Sequence, residues 1–162
     1  MIRHFALVAG FSLFAFAANA QNASQISTVQ SGKSCSGCNL FQANLSYRDL
    51  PSVDLSGSRL KQSDLSLSTM NGANFQATDL SISNLFGARF SGANFKNADL
   101  TRSVLVGAYF GGADMTGANL TSANLSGAEL DLAKGLTQAQ LTTACGDEQT
   151  RLPAGLQVPH CR

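Results

Sequence analysis

Residues 72–95 read GANFQATDLSISNLFGARFSGANF. Five large apolar residues in this stretch are each five positions apart, namely Phe75, Leu80, Leu85, Phe90 and Phe95. The five-residue spacing holds from Leu40 to Leu130 without a gap, over 19 positions that carry 13 Leu, 4 Phe and 2 Met. We call each of these positions the centre of a unit. Two residues before the centre lies a small residue in 18 of the 19 units, and Arg48 is the one departure. The unit is therefore a small residue, a mostly polar one, a large apolar one and two variable ones.

A period of five fits neither regular secondary structure. In an α-helix successive centres would be rotated by about 140°, and in a simple strand they would point to alternate faces. Two inward positions in five residues, one large and one small, suit a chain that turns a corner in each unit and closes on itself. Stacked coils then satisfy the backbone groups of the coils above and below. The pattern predicts an all-β solenoid whose axis is filled by the centre residues.

The repeat unit resembles a known family. The stretches 72–75, 92–95 and 117–120 read GANF, GANF and GANL, which is similar to the A-(D/N)-L-x-x repeat of the pentapeptide-repeat family. The resemblance covers about residues 36–135 of the 162-residue chain. It implies a right-handed quadrilateral β-helix with four units in each coil and about five coils. At a strand spacing of ~4.8 Å the rod would be about 24 Å long.

The N-terminal residues have the pattern of a secretory signal peptide. Arg3 supplies a positive charge, residues 5–18 are almost entirely apolar, and residues 18–20 read ANA. This apolar stretch is shorter than the roughly 20 residues that span a bilayer, so we expect no membrane span. Cleavage is expected between Ala20 and Gln21, which predicts a periplasmic or secreted protein.

The two flanks of the repeats are expected to close the ends of the rod, where apolar centres and strand edges would otherwise meet water. In the N-terminal flank, Ile26 and Val29 are three residues apart, which suits one helical turn packed on the first coil. The predicted segments are a signal peptide at 1–20, an N-terminal cap at 21–35, the β-helix at 36–135, and a capping helix and tail at 136–162.

The C-terminal flank contains a helix-start signal. Thr137 and Gln140 have the spacing of a capping box, in which each side chain bonds the other residue's backbone N–H. The helix that follows is expected to include Leu141 to Ala144, with Gly146 as its stop. An irregular tail with two prolines completes the chain.

Four cysteines in an exported chain admit three disulfide pairings. Cys145 and Cys161 lie beyond the last repeat, and pairing by proximity joins them to each other. Cys35 and Cys38, at the start of the first coil, are either bridged or reduced. The Cys-x-x-Cys pair lacks the βαβ context of a redox motif, and a zinc site with Cys145 or Cys161 would require opposite ends of the rod to meet. We interpret the cysteines as structural and expect no metal or cofactor.

The charge balance argues against several classes of function. The chain has 11 Lys+Arg against 10 Asp+Glu, and removal of Arg3 with the signal peptide leaves 10 against 10. Such a neutral chain does not suit nucleic-acid binding, which uses clustered basic residues. It has 2 His and no Trp, and the repeats contain no His to serve as a base for a nucleophilic Ser. No catalytic residue is therefore expected, and the protein is not interpreted as an enzyme.

Two alternatives come from other solenoids. Some cytoplasmic pentapeptide-repeat proteins imitate DNA and inhibit gyrase, a topoisomerase, which requires a surface dense in carboxylates in place of phosphates. Residues 36–135 instead hold eight acidic residues against seven basic ones, and export also opposes this function. Other β-helices are glycan-active enzymes, but no acid–base constellation supports that activity here. The preferred interpretation is an exported, non-catalytic module that binds proteins or serves as a structural element.

The outward positions divide into two contrasting surfaces when the chain is wound at twenty residues per coil. One side, which we call the apolar face, comprises Tyr47, Leu67, Phe86, Val104 and Val106. The opposite side, the polar face, comprises Asp54, Asn74, Gln76, Asn94, Lys96, Asp114 and Thr116. Clustered exposed apolar residues usually mark an interface. The sequence therefore predicts either a homodimer or docking of another exported protein on the apolar face, unless the chain's own flanks cover it.

Overall fold

The computed structural model describes residues 21–162. The predicted signal peptide, residues 1–20, lies outside the described residues, which begin at Gln21, directly after the predicted cleavage site. Helix α1 spans Ala23–Gln30 and helix α2 spans Gln138–Thr142. Between them the backbone forms isolated parallel bridges that join residues twenty positions apart, from Asn39↔Arg59 to Asp114↔Lys134. Each coil thus contains twenty residues and four bridges. No helix in residues 21–162 is long and apolar enough to cross a membrane.

We number the coils from the start of the repeats. Their residue ranges are 36–55 for coil 1, 56–75 for coil 2, 76–95 for coil 3, 96–115 for coil 4 and 116–135 for coil 5. Because the bridges keep a register of twenty residues, equivalent positions of successive coils lie directly above one another. Side chains at such positions form columns along the rod.

The same turn follows the centre of each unit. In the turn after Leu40, the Ala43 N–H donates to the Leu40 carbonyl at 3.0 Å. The second turn residue has a positive φ in every turn from Gln42 to Gly127, for example 55° at Gln42 and 68° at Gly72. Glycine adopts this left-handed conformation without steric cost, whereas a side chain is strained there. This requirement accounts for the glycines that recur two positions after the centre.

The polar residue before the centre has a structural role as well. The Oδ1 atom of Asn94 accepts the Lys96 N–H at 3.1 Å, and that of Asp54 accepts the Ser56 N–H at 3.0 Å. The side chain therefore bonds the first residue of the following turn, as Asn and Asp commonly do in turns. This local hydrogen bond is the physical reason for Asn or Asp at that position of the repeat.

The centres form the core of the rod. Every centre from Leu40 to Leu130 is buried. The phenylalanines stack in pairs from one coil to the next, with ring centroids 4.8 Å apart for Phe75 and Phe95 and 5.3 Å apart for Phe90 and Phe110. Burial of each such side chain contributes about 1.5–3 kcal/mol before conformational entropy is subtracted. The core is thus a continuous apolar column along the axis.

Buried hydroxyl groups replace alanine in several small positions. The Ser63 hydroxyl donates to the Leu40 carbonyl of the preceding coil at 2.9 Å, and the Ser83 hydroxyl donates to the Leu60 carbonyl at 2.7 Å. Among the residues that the structure describes, no buried side-chain nitrogen or oxygen lacks a hydrogen-bond partner. Ser68 and Ser103 donate instead to carbonyls three residues earlier in their own coil. Serine is therefore accommodated in the core because a backbone carbonyl accepts its proton.

Helix α1 covers part of the open edge of coil 1. Its N-cap residue Asn22 accepts the Gln25 N–H at 3.2 Å, and Val29 is buried against the first coil. The Gln25 side chain accepts the Asn39 N–H at 2.8 Å, and the Gln30 amide donates to the Asn44 carbonyl at 2.8 Å. Side chains of α1 thus bond edge groups that would pair with a preceding coil elsewhere in the rod.

The exceptional Arg48 also belongs to this end of the molecule. Its side chain is exposed and donates to the Gln30 carbonyl at the end of α1, at 3.3 Å. A cation is favourable at a helix C-terminus, where backbone carbonyls lack partners. A large charged residue is therefore tolerated at a small position because it lies on coil 1, beside α1 and away from the closed core.

Helix α2 lies at the opposite end of the rod. Both bonds of the capping box between Thr137 and Gln140 are present, and Leu141 is buried. The helix ends at Thr142, two residues before the predicted end at Ala144. The early end has a physical cause, because the Thr143 carbonyl accepts the Ser122 N–H at 2.7 Å. The backbone thus rejoins the solenoid ladder as soon as one helical turn is complete.

The tail after α2 is more ordered than the sequence predicts. Cys145 forms a parallel bridge with Asn124, and Arg151 forms one with Glu129. Cys145 is also disulfide-bonded to Cys161, with Cα atoms 4.8 Å apart. The tail therefore adds partial layers beyond coil 5 instead of forming an irregular extension.

Candidate interaction faces

The apolar face is open to solvent. The exposed fractions are 77% for Tyr47, 44% for Leu67, 46% for Phe86 and 39% for Val104, and Val106 is half-buried. Ile82, which borders this face on the preceding corner, is 40% exposed. The twenty-residue register places these residues on coils 1 to 4. Together they form an apolar strip along one side of the rod.

The described flanks contact the ends of the rod and leave this strip uncovered. At the first end, the Gln21 amide donates to the Gln42 carbonyl at 3.0 Å. At the other end, the Cys161 sulfur lies 3.4 Å from Asn124 Oδ1. The exposed fractions above include any shielding by residues 21–35 and 136–162. The alternative in which these flanks cover the apolar face is therefore not what the structure shows.

Three bulky apolar residues of this region occupy the left-handed turn position. Their φ angles are 57° at Tyr47, 56° at Leu67 and 60° at Ile82. A β-branched residue with positive φ is an outlier, and such conformations cost of order 1 kcal/mol or more each. The remaining non-glycine residues with positive φ are Gln42, Ser52, Gln62, Ala77, Asn97, Arg102 and Ser122. Bulky apolar side chains at this strained position are thus confined to the apolar face and to the corner that borders it.

Val104 departs from the repeat in a second way. It takes the place before the centre where Asn84 and Asn124 lie in the same column. Asn84 Oδ1 accepts the Phe86 N–H at 3.1 Å, and Asn124 Oδ1 accepts the Ser126 N–H at 2.9 Å. Valine has no oxygen to accept the equivalent N–H of Val106. The sequence therefore places an outward apolar side chain where the repeat favours a turn-capping amide.

The polar face is built from side-chain hydrogen bonds between coils. The Asn74 amide donates to Asp54 Oδ1 at 2.9 Å, and the Asn94 amide donates to Asn74 Oδ1 at 3.0 Å. Further along the rod, Lys96 Nζ lies 3.2 Å from Asp114 Oδ2. The two amide hydrogen bonds link coils 1 to 3 by a ladder of side chains, and the ion pair lies within coil 4.

Hydrogen bonding also shifts two carboxyl groups of this face. The Ser56 backbone N–H and hydroxyl, with help from Asn74, hold the pKa of Asp54 below its ordinary value. The hydroxyl and N–H of Thr116, followed by Lys96, lower the pKa of Asp114. In both cases the ionised form accepts the bonds that cap a turn. These carboxylates are parts of the fold's own turns.

The cysteines and acidic residues form no metal centre in the part of the chain that the structure describes. Cys35 is disulfide-bonded to Cys38, and Cys145 to Cys161. Near the second disulfide, the Asp147 carboxylate accepts the Gly127 N–H at 2.8 Å, and that bond is the main cause of the lowered pKa of Asp147. The Cys35–Cys38 disulfide therefore stabilises one end of the rod, and the Cys145–Cys161 disulfide and Asp147 stabilise the other end.

The pentapeptide repeats family matches this chain in 8 copies, over residues 34–72, 49–81, 83–121 and 98–134. A search of curated proteins found no significant match. Among solved structures, QnrB1, a plasmid-mediated fluoroquinolone resistance protein, is 20% identical over 75% of this chain and 65% of its own, with a TM-score of 0.55. That likeness shows a shared fold.

Two further solved structures are similar to this chain. A pentapeptide repeat protein from the thylakoid lumen of Arabidopsis thaliana is 30% identical over 60% of this chain and 68% of its own, with a TM-score of 0.46. One from the cyanobacterium Cyanothece 51142 is 25% identical over 80% of this chain and 98% of its own, with a TM-score of 0.41. Pentapeptide-repeat proteins form right-handed quadrilateral β-helices, and four bridges in each twenty-residue coil agree with that architecture. With the family matched over more than half of its length, the chain belongs to the pentapeptide-repeat family.

Proposed function

We propose that this chain is an exported, non-catalytic protein whose rigid rod presents the apolar face to a protein partner. The observation that carries the proposal is that exposed, bulky apolar side chains occupy left-handed turn positions on this side of the rod. Tyr47 and Leu67 are exposed and have left-handed backbone conformations. Backbone strain of this kind is concentrated at binding and switch sites.

The same positions could be occupied at lower cost. On other corners of the rod the equivalent residue is often glycine, as at Gly92 and Gly112, and it fills no part of the core. A bulky apolar residue at this position therefore adds nothing to core packing and exposes apolar surface to water. An interface accounts for both features, because contact with a partner removes that surface from water.

Two features support export. The N-terminal twenty residues have the composition of a signal peptide, and the structure contains two disulfides, Cys35–Cys38 and Cys145–Cys161. Disulfides persist in oxidising compartments and are rare in the cytosol. The two bonds lie at opposite ends of the rod. A periplasmic or secreted location therefore suits the chain.

DNA mimicry is the less favoured function. It requires an extended surface of carboxylates, and the column of Asp79 and Asp99 also contains Arg59. On the polar face, Asp114 is paired with Lys96. The mixed signs within these columns favour protein binding over imitation of a phosphate backbone.

Affinity capture from the exported fraction tests the proposal. The test variant is the double substitution Leu67→Asp and Phe86→Asp, and the matched control is Ala77→Asp with Lys96→Asp, half a coil further along the chain. Neither variant changes a centre, so the free energy of unfolding of both, measured with urea, should stay within about 1 kcal/mol of the parent protein. A specific partner should bind the parent and the control and be lost from the test variant. Equal recovery by all three proteins contradicts the proposal, as does unfolding of the test variant alone.

A further inference from the structure

One corner beside the apolar face changes from a ridge to a groove along the rod. From coil 1 to coil 5 its column contains Tyr47, Leu67, Gly87, Gly107 and Gly127, each with positive φ. Leu67 leans over the next coil, since its Cδ2 atom lies 2.8 Å from the place that a Cβ of Gly87 would take. No atom lies within 4 Å of the corresponding place at Gly107. Two bulky side chains are therefore followed by an open strip of backbone.

Gly127 continues this strip at the far end. The atoms nearest to its missing Cβ are the Gly107 backbone nitrogen at 3.9 Å and the Gln149 side-chain oxygen at 4.0 Å. These are ordinary contact distances, so the groove stays open above both glycines and is bordered by the tail. The ridge at Tyr47 and Leu67 and the groove at Gly107 and Gly127 have the same spacing of twenty residues.

The ridge of one copy of the chain is complementary to the groove of a second copy. We propose that two copies pack through their apolar faces with antiparallel rods, about a two-fold axis that crosses both rods at coil 3. Leu67 of each copy then lies over Gly107 of the other, and Tyr47 lies over Gly127. Ile82 and Phe86 lie beside their own counterparts near the axis. Two-fold contacts of this kind are self-complementary by construction. The inference rests on the proposed function, because it names the partner of the same face.

Charge favours this orientation over the parallel one. Asp64 lies on coil 2 in the column of Val104, and Arg102 lies on coil 4 on the neighbouring corner. Within residues 21–162 the Arg102 side chain makes no ion pair, and it is exposed. In the antiparallel pair Arg102 of one copy approaches Asp64 of the other. In a parallel pair the two Asp64 carboxylates face each other instead, and like charges repel.

The size of the face indicates a reversible association. A rod of five coils is about 24 Å long, and one unit, even if fully extended at ~3.3 Å per residue, spans at most about 16 Å. The face therefore offers at most about 400 Å² per copy, against about 800 Å² per partner in a standard stable interface. The dimer is expected to be populated at high protein concentration and to dissociate on dilution.

Cross-linking of introduced thiols tests the arrangement. The native cysteines are all in disulfides within the described chain, so a short bismaleimide reacts with introduced thiols alone. Proteins carrying Leu67→Cys and Gly107→Cys are prepared separately and mixed. We expect cross-linked dimer to form at least tenfold faster in the mixture than in either protein alone. Phe86→Cys, which keeps every glycine of the groove, should cross-link to itself and serves if Gly107→Cys does not fold.

The matched control is a mixture of Ala77→Cys and Gly117→Cys, which has the same spacing on the opposite side of the rod. Cross-linking of the test mixture at the rate of this control overturns the dimer. Rapid cross-linking of Gly107→Cys with itself overturns the antiparallel orientation. If the thiols stay unlinked while a different partner still binds the parent and not Leu67→Asp with Phe86→Asp, the second copy is the wrong partner and the proposed function stands.

Discussion

The apolar face and the polar face share one backbone and differ in what their side chains do for it. On the polar face, Asn94 caps the turn at Lys96 and donates to Asn74 on the coil before. On the apolar face, Val104 makes neither bond, although its backbone forms the same parallel bridges. Backbone pairing and the buried column therefore maintain the rod on both faces, and its outward residues are free to vary.

The two faces also differ in local backbone energy. Asn97, on the polar side, belongs to the residue type that best tolerates positive φ after glycine. Ile82, at the border of the apolar face, is β-branched and has the same conformation, with φ of 60°. Asn97 therefore fits its turn on the polar side, whereas Ile82 strains its turn at the border of the apolar face. Variants that exchange these properties should change the difference in stability between the two faces.

The largest effect is expected beneath both faces, in the core. Phe95→Ala removes a ring that lies 4.8 Å from Phe75 and 5.2 Å from Phe90. The loss of stability should be about 3–5 kcal/mol, measured by urea unfolding. The adjacent Lys96→Ala should cost at most about 1 kcal/mol, because its ion pair with Asp114 is partly exposed. Equal shifts of the two midpoints would show that the phase of the repeat is misassigned.

The next effect tests the hydrogen-bond ladder of the polar face. Asn94→Ala removes the acceptor of the Lys96 N–H and the donor to Asn74. We expect a loss of about 1–2 kcal/mol in urea unfolding. Val104→Ala, at an outward position without such bonds, is the control and should lose less. A larger loss for the control contradicts the contrast between the faces.

Relief of backbone strain should act in the opposite direction on the apolar side. Ile82→Gly removes a β-branched residue from a left-handed turn, and the net gain should be about 1 kcal/mol after the added chain entropy of glycine is included. Asn97→Gly is the matched control and should change stability less. Thermal unfolding of both variants measures the difference. Destabilisation by Ile82→Gly would mean that its side chain supports the folded monomer.

A smaller gain is expected from restoring the repeat at Val104. Val104→Asn supplies an oxygen for the Val106 N–H, as Asn84 does for Phe86. Urea unfolding should show a gain of about 0.5 kcal/mol. Sedimentation at a series of concentrations should show weaker self-association, because the apolar face loses a side chain. A variant that associates as strongly as the parent removes Val104 from the interface.

The smallest effect concerns pH and the polar face. The pKa values of Asp54 and Asp114 are lowered by hydrogen bonds in the folded state. Their contribution to stability is therefore complete above the unfolded-state pKa of about 3.9 and is lost as the pH falls through the lower folded-state values. Thr116→Ala should raise the pKa of Asp114 towards its ordinary value, as measured by NMR titration. An unchanged titration would show that the backbone N–H of residue 116 and Lys96, and not the Thr116 hydroxyl, lower the pKa of Asp114.

Sequence patterns succeeded where structure depends on near neighbours. The five-residue period identified the buried centres from Leu40 to Leu130, and the Thr137–Gln140 spacing identified a capping box whose two bonds are present. The end of α2 at Thr142 was not predicted. It depends on Ser122, which lies twenty-one residues before Thr143 and donates to its carbonyl. A helix boundary set by so distant a residue leaves no local signal.

The same division applies to the candidate interface. Tyr47, Leu67, Phe86, Val104 and Val106 could be assigned to one side by counting twenty residues per coil. The strain at Ile82 could not be assigned without φ, and the groove at Gly107 required the lean of Leu67 over Gly87. A glycine at this place in the repeat is already explained by the positive φ of the turn. The sequence therefore does not show whether such a glycine also opens a groove for a partner.

The repeat, its phase and the composition of the core follow from the amino-acid sequence, because each unit meets its own conformational needs within five residues. The folded coils were needed to see how the tail rejoins the ladder through Cys145 and Arg151 and how Arg48 bonds the end of α1. They were also needed to see which outward side chains remain exposed, because these features depend on the stacking of coils. Residues twenty positions apart become neighbours only after the intervening chain has closed a full turn.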